Sequence, residues 1–201
     1  MDVGEALSRR RSCRSFLSRP IPDPVLEEVL SAFLRAPSAG NTWGQELLVL
    51  TGADVERYWA VTLPEGDRRT AFPWPGLLCA PVLVIPLVDP SAYLRRYGAT
   101  DKAHAGLGDS LDAWPVPYWW VDVGASIMAV LVAAAAAELG SLLFGMFTHT
   151  ASVLAEFGVP EDYQAAGVIA LGYPSSDGNR ASLSLKVPRP NLEMVLHHGQ
   201  W

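Results

Sequence analysis

The sequence predicts an α+β domain, and three observations carry that expectation. Val82 to Val88 is an almost unbroken apolar run that starts just after Pro81, the pattern of a strand buried on both faces. Val121 to Leu139 is apolar or small on every side except for Asp122 and Glu138 at its ends, so it reads as a helix enclosed by protein. Shorter helical and strand patterns fill the rest of the 201 residues without a repeat or a low-complexity linker, so residues 1–201 are expected to form one domain.

In chain order, Val3 to Arg9 reads as a short helix with Ala6 and Leu7 inward. A second helix starts after Pro20 and Pro22. Asp23 can cap it, Pro24 suits its first position, and Val25, Val29, Leu30 and Phe33 recur at helical spacing until Ala36-Pro37 stops it. Ser38-Ala39-Gly40-Asn41 is then a turn of small residues where backbone can approach a ligand. Glu46 to Thr51 is a strand and Asp54 to Val61 a helix, followed by an irregular, proline-punctuated stretch from Leu63 to Pro81. After the Val82 to Val88 strand comes a short helix, Ala92 to Tyr97, and then a long loop from Gly98 to Tyr118, a length typical of binding walls. Its aromatic tail, Trp114 to Trp120, serves either core packing or the lining of a flat, electron-poor substrate. The long helix Val121 to Leu139 carries alanines from Ala133 to Ala137 that let a second helix come close, so it is expected to serve as core and as part of a dimer interface. Ser141 to Phe147 and Gly167 to Tyr173 are buried strands with a helix, Ala151 to Phe157, between them.

Composition narrows the function. Half the residues are hydrophobic, 18% are charged and the net charge is −6, which argues against nucleic acid as a partner. The longest uncharged run, Val123 to Ala137, is shorter than the roughly 20 residues of a spanning helix, so no membrane association is expected. Acidic residues at the start and no apolar run behind them do not suit a signal peptide. With Cys13 and Cys79 far apart, a reducing, cytoplasmic setting is the simplest expectation.

Against that acidic background, Arg9-Arg10-Arg11-Ser12-Cys13-Arg14-Ser15-Phe16 places four arginines in eight residues. A guanidinium fork matches phosphate oxygens two at a time, so the stretch is a phosphate site or, more blandly, a basic helix end that complements the macrodipole. Other signatures fail. Gly108-Asp109-Ser110-Leu111 has no strand before it and no positioned base, and Pro37-Ser38-Ala39-Gly40 lacks the nucleophile elbow. His104, His149, His197 and His198 show no metal-ligand spacing, and no GxGxxG follows a strand.

What remains is an ordered set: Arg-Arg-Ser-x-Arg-x-Phe after one helix, Ala-Pro-Ser-Ala-Gly-Asn after the next, and a late strand running into Gly145. The set resembles the nitroreductase family of FMN-dependent oxidoreductases, and the likeness continues through Val168 to Pro174 to a closing Leu192-Glu193-x-Val195-x-His197 and Trp201. The resemblance implies a three-layer fold with a central mixed or antiparallel sheet flanked by helices, in an intertwined homodimer with the flavin at the subunit interface. It implies FMN as cofactor, NADH or NADPH as co-substrate, and hydride transfer first to the flavin and then to a nitroaromatic, quinone or related small aromatic acceptor. Family members that oxidise a biosynthetic intermediate without nicotinamide, and a flavin-binding storage or sensor protein, are the alternatives.

Residue by residue, the resemblance gives Arg10 and Ser12, with Arg11 beside them, a phosphate or ribityl role, and Arg14 the N1/O2 edge of the ring. Pro37, Ser38, Ala39 and Asn41 would line the flavin from the other subunit. Leu143, Phe144 and Gly145 would face the ring, with the Gly145 amide near N5, and Lys186 and Arg189 would complete the phosphate clamp. No side chain is assigned an obligate catalytic role, because such a site works by placing the ring. The chain departs from the family's Asn-x-Gln-Pro-Trp with Asn41-Thr42-Trp43-Gly44-Gln45, so the wall beside the flavin differs.

Overall fold

The computed structural model describes residues 1–177 and 187–201. Its helices are α1 (Val3–Arg9), α2 (Asp23–Ser31), α3 (Ala53–Thr62), α4 (Asp67–Thr70), α5 (Pro90–Tyr97), α6 (Tyr118–Ala136) and α7 (Thr150–Glu156). The strands are β1 (Gln45–Thr51), β2 (Val82–Val88), β3 (Gly140–Phe144), β4 (Gln164–Ala165) and β5 (Val168–Gly172). They form one sheet in the order β1-β2-β5-β3, with β4 also paired to β2, and every pairing between strands is antiparallel.

Period-two alternation sorts the sheet's side chains into two cores, which makes the three layers. Val82, Val84 and Val88 of β2 and Ile169 and Leu171 of β5 face α2, α6 and the 3₁₀ turn Ala32–Arg35. Leu83, Ile85 and Leu87, with Val168 and Ala170, face Val55, Tyr58 and Trp59 of α3 and Val153 of α7. All seven residues of β2 are buried, as its unbroken apolar run requires. Pro86 interrupts the ladder in the middle of this strand. It lacks an N–H, yet its carbonyl accepts from Ala166 N at 2.9 Å, so the chain opposite cannot pair continuously and splits into β4 and β5. Gly167, at φ 140, absorbs the extra residue.

Several element boundaries differ from expectation for identifiable reasons. The long helix starts at Tyr118, since Pro117 sits at its N-cap, and it ends at Ala136. There Glu138 takes φ 60, Glu138 N reaches Ala135 O at 3.2 Å and Leu139 N reaches Ala134 O at 2.8 Å, the paired bonds of a Schellman turn. By length and composition α6 would suffice to cross a membrane; here its buried side, from Trp119 to Ala134, packs into the first core. Leu7, expected inward, is 47% exposed, while Ala6 is buried. Of the aromatic tail, Trp114 and Trp119 take the core role and surround fully buried Tyr93 with ring centroids 5.8 and 5.9 Å away, whereas Tyr118 and Trp120 face outward.

From Val121 to Ala136 the outward side of α6 has no polar residue. Val121, Gly124, Ala125 and Met128 are exposed, and Val132 and Ala136 continue the stripe at spacings of three or four residues. Val3 and Leu7 of α1 flank Met128 and Val132 across an open apolar groove of about 370 Å³.

Candidate active site

The arginine stretch leaves α1 as extended chain. Arg10 caps the helix through its N–H to Ala6 O at 2.9 Å, and the next residues run beside the start of β3, with Ser12 bridged to Ser141 and Cys13 N donating to Ser141 O at 2.9 Å. Phe16 N to Gly76 O at 3.0 Å and Leu17 N to Tyr173 O at 2.9 Å pin the far end. Cys13, Ser15 and Phe16 turn inward, Ser12 is exposed, and Arg10 and Arg14 are half-buried. Burial raises the Cys13 thiol pKa, against the opposing effects of its hydrogen bond to Ser15 O and of nearby Arg14.

Arg9, Arg10, Arg11 and Ser12 form one wall of a cleft of about 290 Å³ whose other wall includes Ser141 and Glu138. Arg9 is paired with Glu5 at 2.6 Å, and Arg11 donates to the carbonyls of Ser8 and Arg10. Among the described residues Arg10 has no ion-pair partner, so it is the guanidinium of this wall most open to an anion. Arg14 lies with its guanidinium 5.9 Å from the centroid of Trp74. Guanidinium and hydroxyl donors with so little competing acid fit a phosphate monoester; among the described residues Glu138 is the one carboxylate lining the cleft.

The second motif lies elsewhere. Ala39–Asn41 is a 3₁₀ turn with Gly40 at φ 63 and Asn41 at φ 55. Ala39 N donates to Asp122 Oδ2 at 2.8 Å, and the Tyr93 hydroxyl donates to the same oxygen at 2.8 Å. Burial and the neighbouring Asp122 carboxylate both raise the Tyr93 pKa, so its proton stays on this bond. From the other side Arg96 Nε donates to Gly40 O at 2.8 Å, and Arg96 is itself gripped by both oxygens of Asp101 at 2.8 and 2.7 Å. Thr42 Oγ1 to Ala39 O at 2.6 Å closes the turn. Asp122, though visible as the lone acid of an apolar helix, gave no sequence signal of this role, because its partners are 29 and 83 residues away.

Gly40 has little room for change. A Cβ there would sit 2.9 Å from the Tyr97 ring, in a left-handed conformation that costs an L-residue about 1–2 kcal/mol. Gly40→Ala is expected to lower unfolding free energy by at least that amount, read by chemical denaturation; an unchanged midpoint would show that the turn is not held as described.

The third motif divides across β3. Leu143 is 43% exposed on one face, while the Phe144 ring points to the opposite face and stacks on Trp59 at 6.1 Å and 3°. The family resemblance has Phe144 facing the ring, whereas the structure turns its side chain into the second core because alternate strand residues take opposite faces. Gly145 is exposed, and a Cβ on it would meet the Phe147 ring at 3.0 Å. Arg189 is exposed, and Lys186 lies outside the described residues.

The structure thus brings the arginine wall and β3 together and keeps Pro37, Ser38, Ala39 and Asn41 apart from them. The turn is tied to Asp122 near the start of α6, and the cleft touches Ala135 near its end. Thirteen residues of helix separate these points, about 20 Å at 1.5 Å per residue.

The Nitroreductase family profile matches residues 7–173, a span that takes in all three motifs. The chain belongs to the nitroreductase family. As a nitroreductase-family chain it is an oxidoreductase, and the antiparallel sheet between helices is the family's fold. It is 29% identical over 196 residues to a Thermus thermophilus NADH dehydrogenase, covering 89% of both chains. In fold it is similar to the Vibrio harveyi NADPH:FMN oxidoreductase solved with NAD+, at TM-score 0.71 and 22% identity over 99% of this chain and 77% of that one. A Desulfovibrio desulfuricans protein solved in complex with FMN gives TM-score 0.68 and 20% identity over 100% and 98%. The profile match ends at Tyr173, so Lys186 and Arg189 lie beyond it.

Proposed function

We propose that the protein is an FMN-dependent NAD(P)H oxidoreductase that works as a homodimer with a flavin at each subunit interface. The observation that carries this reading is the separation of the two motifs by about 20 Å of α6, with an apolar stripe between them. Two copies packed with their α6 stripes antiparallel would bring the turn of one to the arginine wall of the other. The stripe, being apolar from Val121 to Ala136, is a surface that water disfavours.

In that site Arg10 and Ser12, with Arg11, hold the phosphate end. From Ser141 to Gly145 the strand covers about 13 Å, a reach suited to a ribityl phosphate and part of its ring. Leu143 and the backbone of Phe144 and Gly145 then border the ring, with Arg14 at its pyrimidine edge. Pro37, Ser38, Ala39 and Asn41 of the partner subunit close the site, and Lys186 and Arg189 add positive charge at the phosphate. When bound, FMN supplies the hydride chemistry, accepting from NADH or NADPH and giving to a nitroaromatic, quinone or related small acceptor. The protein's part is to hold the ring, fix a cation at its edge and leave one face open to both substrates in turn. Two free cysteines, Cys13 and Cys79, suit a cytoplasmic setting.

The test is spectroscopic. The purified protein is expected to be yellow, to release FMN on denaturation, and to bleach with NADH or NADPH. Colourless protein that takes up no FMN overturns the reading; bound FMN that neither nucleotide bleaches, but another donor does, points to the nicotinamide-free branch of the family.

A further inference from the structure

We propose that Asp122 is a positioning residue for the flavin site: with Arg96 it clamps the Ala39–Gly40 unit from opposite sides and so fixes where Asn41 is presented. The assignment rests on the flavin reading above. Asp122 is 5% exposed in a helix otherwise free of charge, a costly place for an acid unless its bonds do something. One carboxylate oxygen receives both Ala39 N and the hydroxyl of Tyr93, which is fully buried and ringed by Trp114 and Trp119. Arg96 holds Gly40 O and is braced by Asp101, at the start of the long loop before α6. The unit is therefore gripped at its first donor and its last acceptor. Asn41, next in the chain, is exposed and held at φ 55, with buried Thr42 behind it bonded back to Ala39 O. A turn gripped on both sides with one exposed amide side chain at its tip is what a preorganised ligand contact requires.

The experiment compares Asp122→Leu, Asp122→Asn and Arg96→Met with wild type for FMN dissociation constant, visible spectrum of the bound flavin, denaturation midpoint and amide exchange at Ala39. Asp122→Leu removes the acceptor and is expected to raise the FMN dissociation constant at least tenfold, to shift the flavin band and to speed Ala39 exchange. Asp122→Asn keeps an acceptor and should stay within threefold of wild type. Arg96→Met releases the other side of the clamp and is expected to weaken FMN three- to tenfold with little change in midpoint; it decides the matter if Asp122→Leu does not fold. A lowered midpoint with unchanged FMN affinity and spectrum in the folded Asp122→Leu protein, or unchanged FMN affinity in Arg96→Met, overturns the assignment while leaving the flavin reading intact. Wild-type protein that binds no FMN overturns the flavin reading itself.

Discussion

Gly124→Arg is expected to yield well-folded monomers that have lost nearly all affinity for FMN. Gly124 is exposed in the middle of the apolar stripe, and a Cβ built on it meets nothing within 4 Å. Within one chain the substitution is therefore sterically free, and replacing a helix-interior glycine by arginine favours the helix by roughly 0.6–1 kcal/mol. Between two chains it is the opposite. A guanidinium would be driven into an apolar contact with no acid on the stripe to receive it, and small residues there no longer allow close approach. In the proposed dimer the turn bearing Asn41 and the wall bearing Arg10 meet only across the interface, so flavin affinity should fall about a hundredfold, or about 2.7 kcal/mol. Sedimentation should show a monomer with an unchanged or raised melting temperature. A flavin-loaded dimer would show that the interface lies elsewhere.

Arg10→Ala and Arg14→Ala are expected to fail in different ways. Arg10 faces the cleft with no ion-pair partner among the described residues, so its truncation removes a charge-assisted bond to phosphate worth about 1.5–3 kcal/mol. FMN affinity should drop about 10- to 100-fold, with the potential of the remaining bound flavin little changed. Arg14 lies further along the segment, near Trp74, and in the proposed site its work is on the ring. A cation beside the pyrimidine edge favours the reduced form, so its loss should lower the two-electron potential by about 30 mV or more, a tenfold change in equilibrium. Affinity should change much less. Redox titration against a reference dye, together with fluorescence titration of FMN, separates the two; the reverse pattern would mean the phosphate and ring ends are exchanged.

How much of this was legible in the sequence depends on how local each cause is. Val82 to Val88 could be read as a buried strand because burial on both faces leaves its mark on every residue. The arginine segment and the turn before Asn41 were legible as local structure for the same reason, since each is a contiguous run whose residue types fix its backbone. Strand β4 was not, being two residues long and created by Pro86 on a neighbouring strand. The direction of Phe144 follows from register, which the run Leu142-Leu143-Phe144 does not reveal, all three being apolar. Asp122 and Arg96 were legible only as charges, because the bonds that give them meaning span 83 and 56 residues. The separation of the two motifs is a property of the length of α6 and of which end each motif touches, and only the folded chain shows it.

The bridge from Ser12 to Ser141 has one more effect. Among the described residues strand β3 is the outermost strand on its side, and an uncovered edge offers free amides and carbonyls to any passing strand. The segment that lies along the start of this edge is the one richest in positive charge, so two molecules approaching edge to edge meet like charges before any backbone can pair. Charge placed along an edge in this way disfavours edge-to-edge pairing, whatever else the arginines bind.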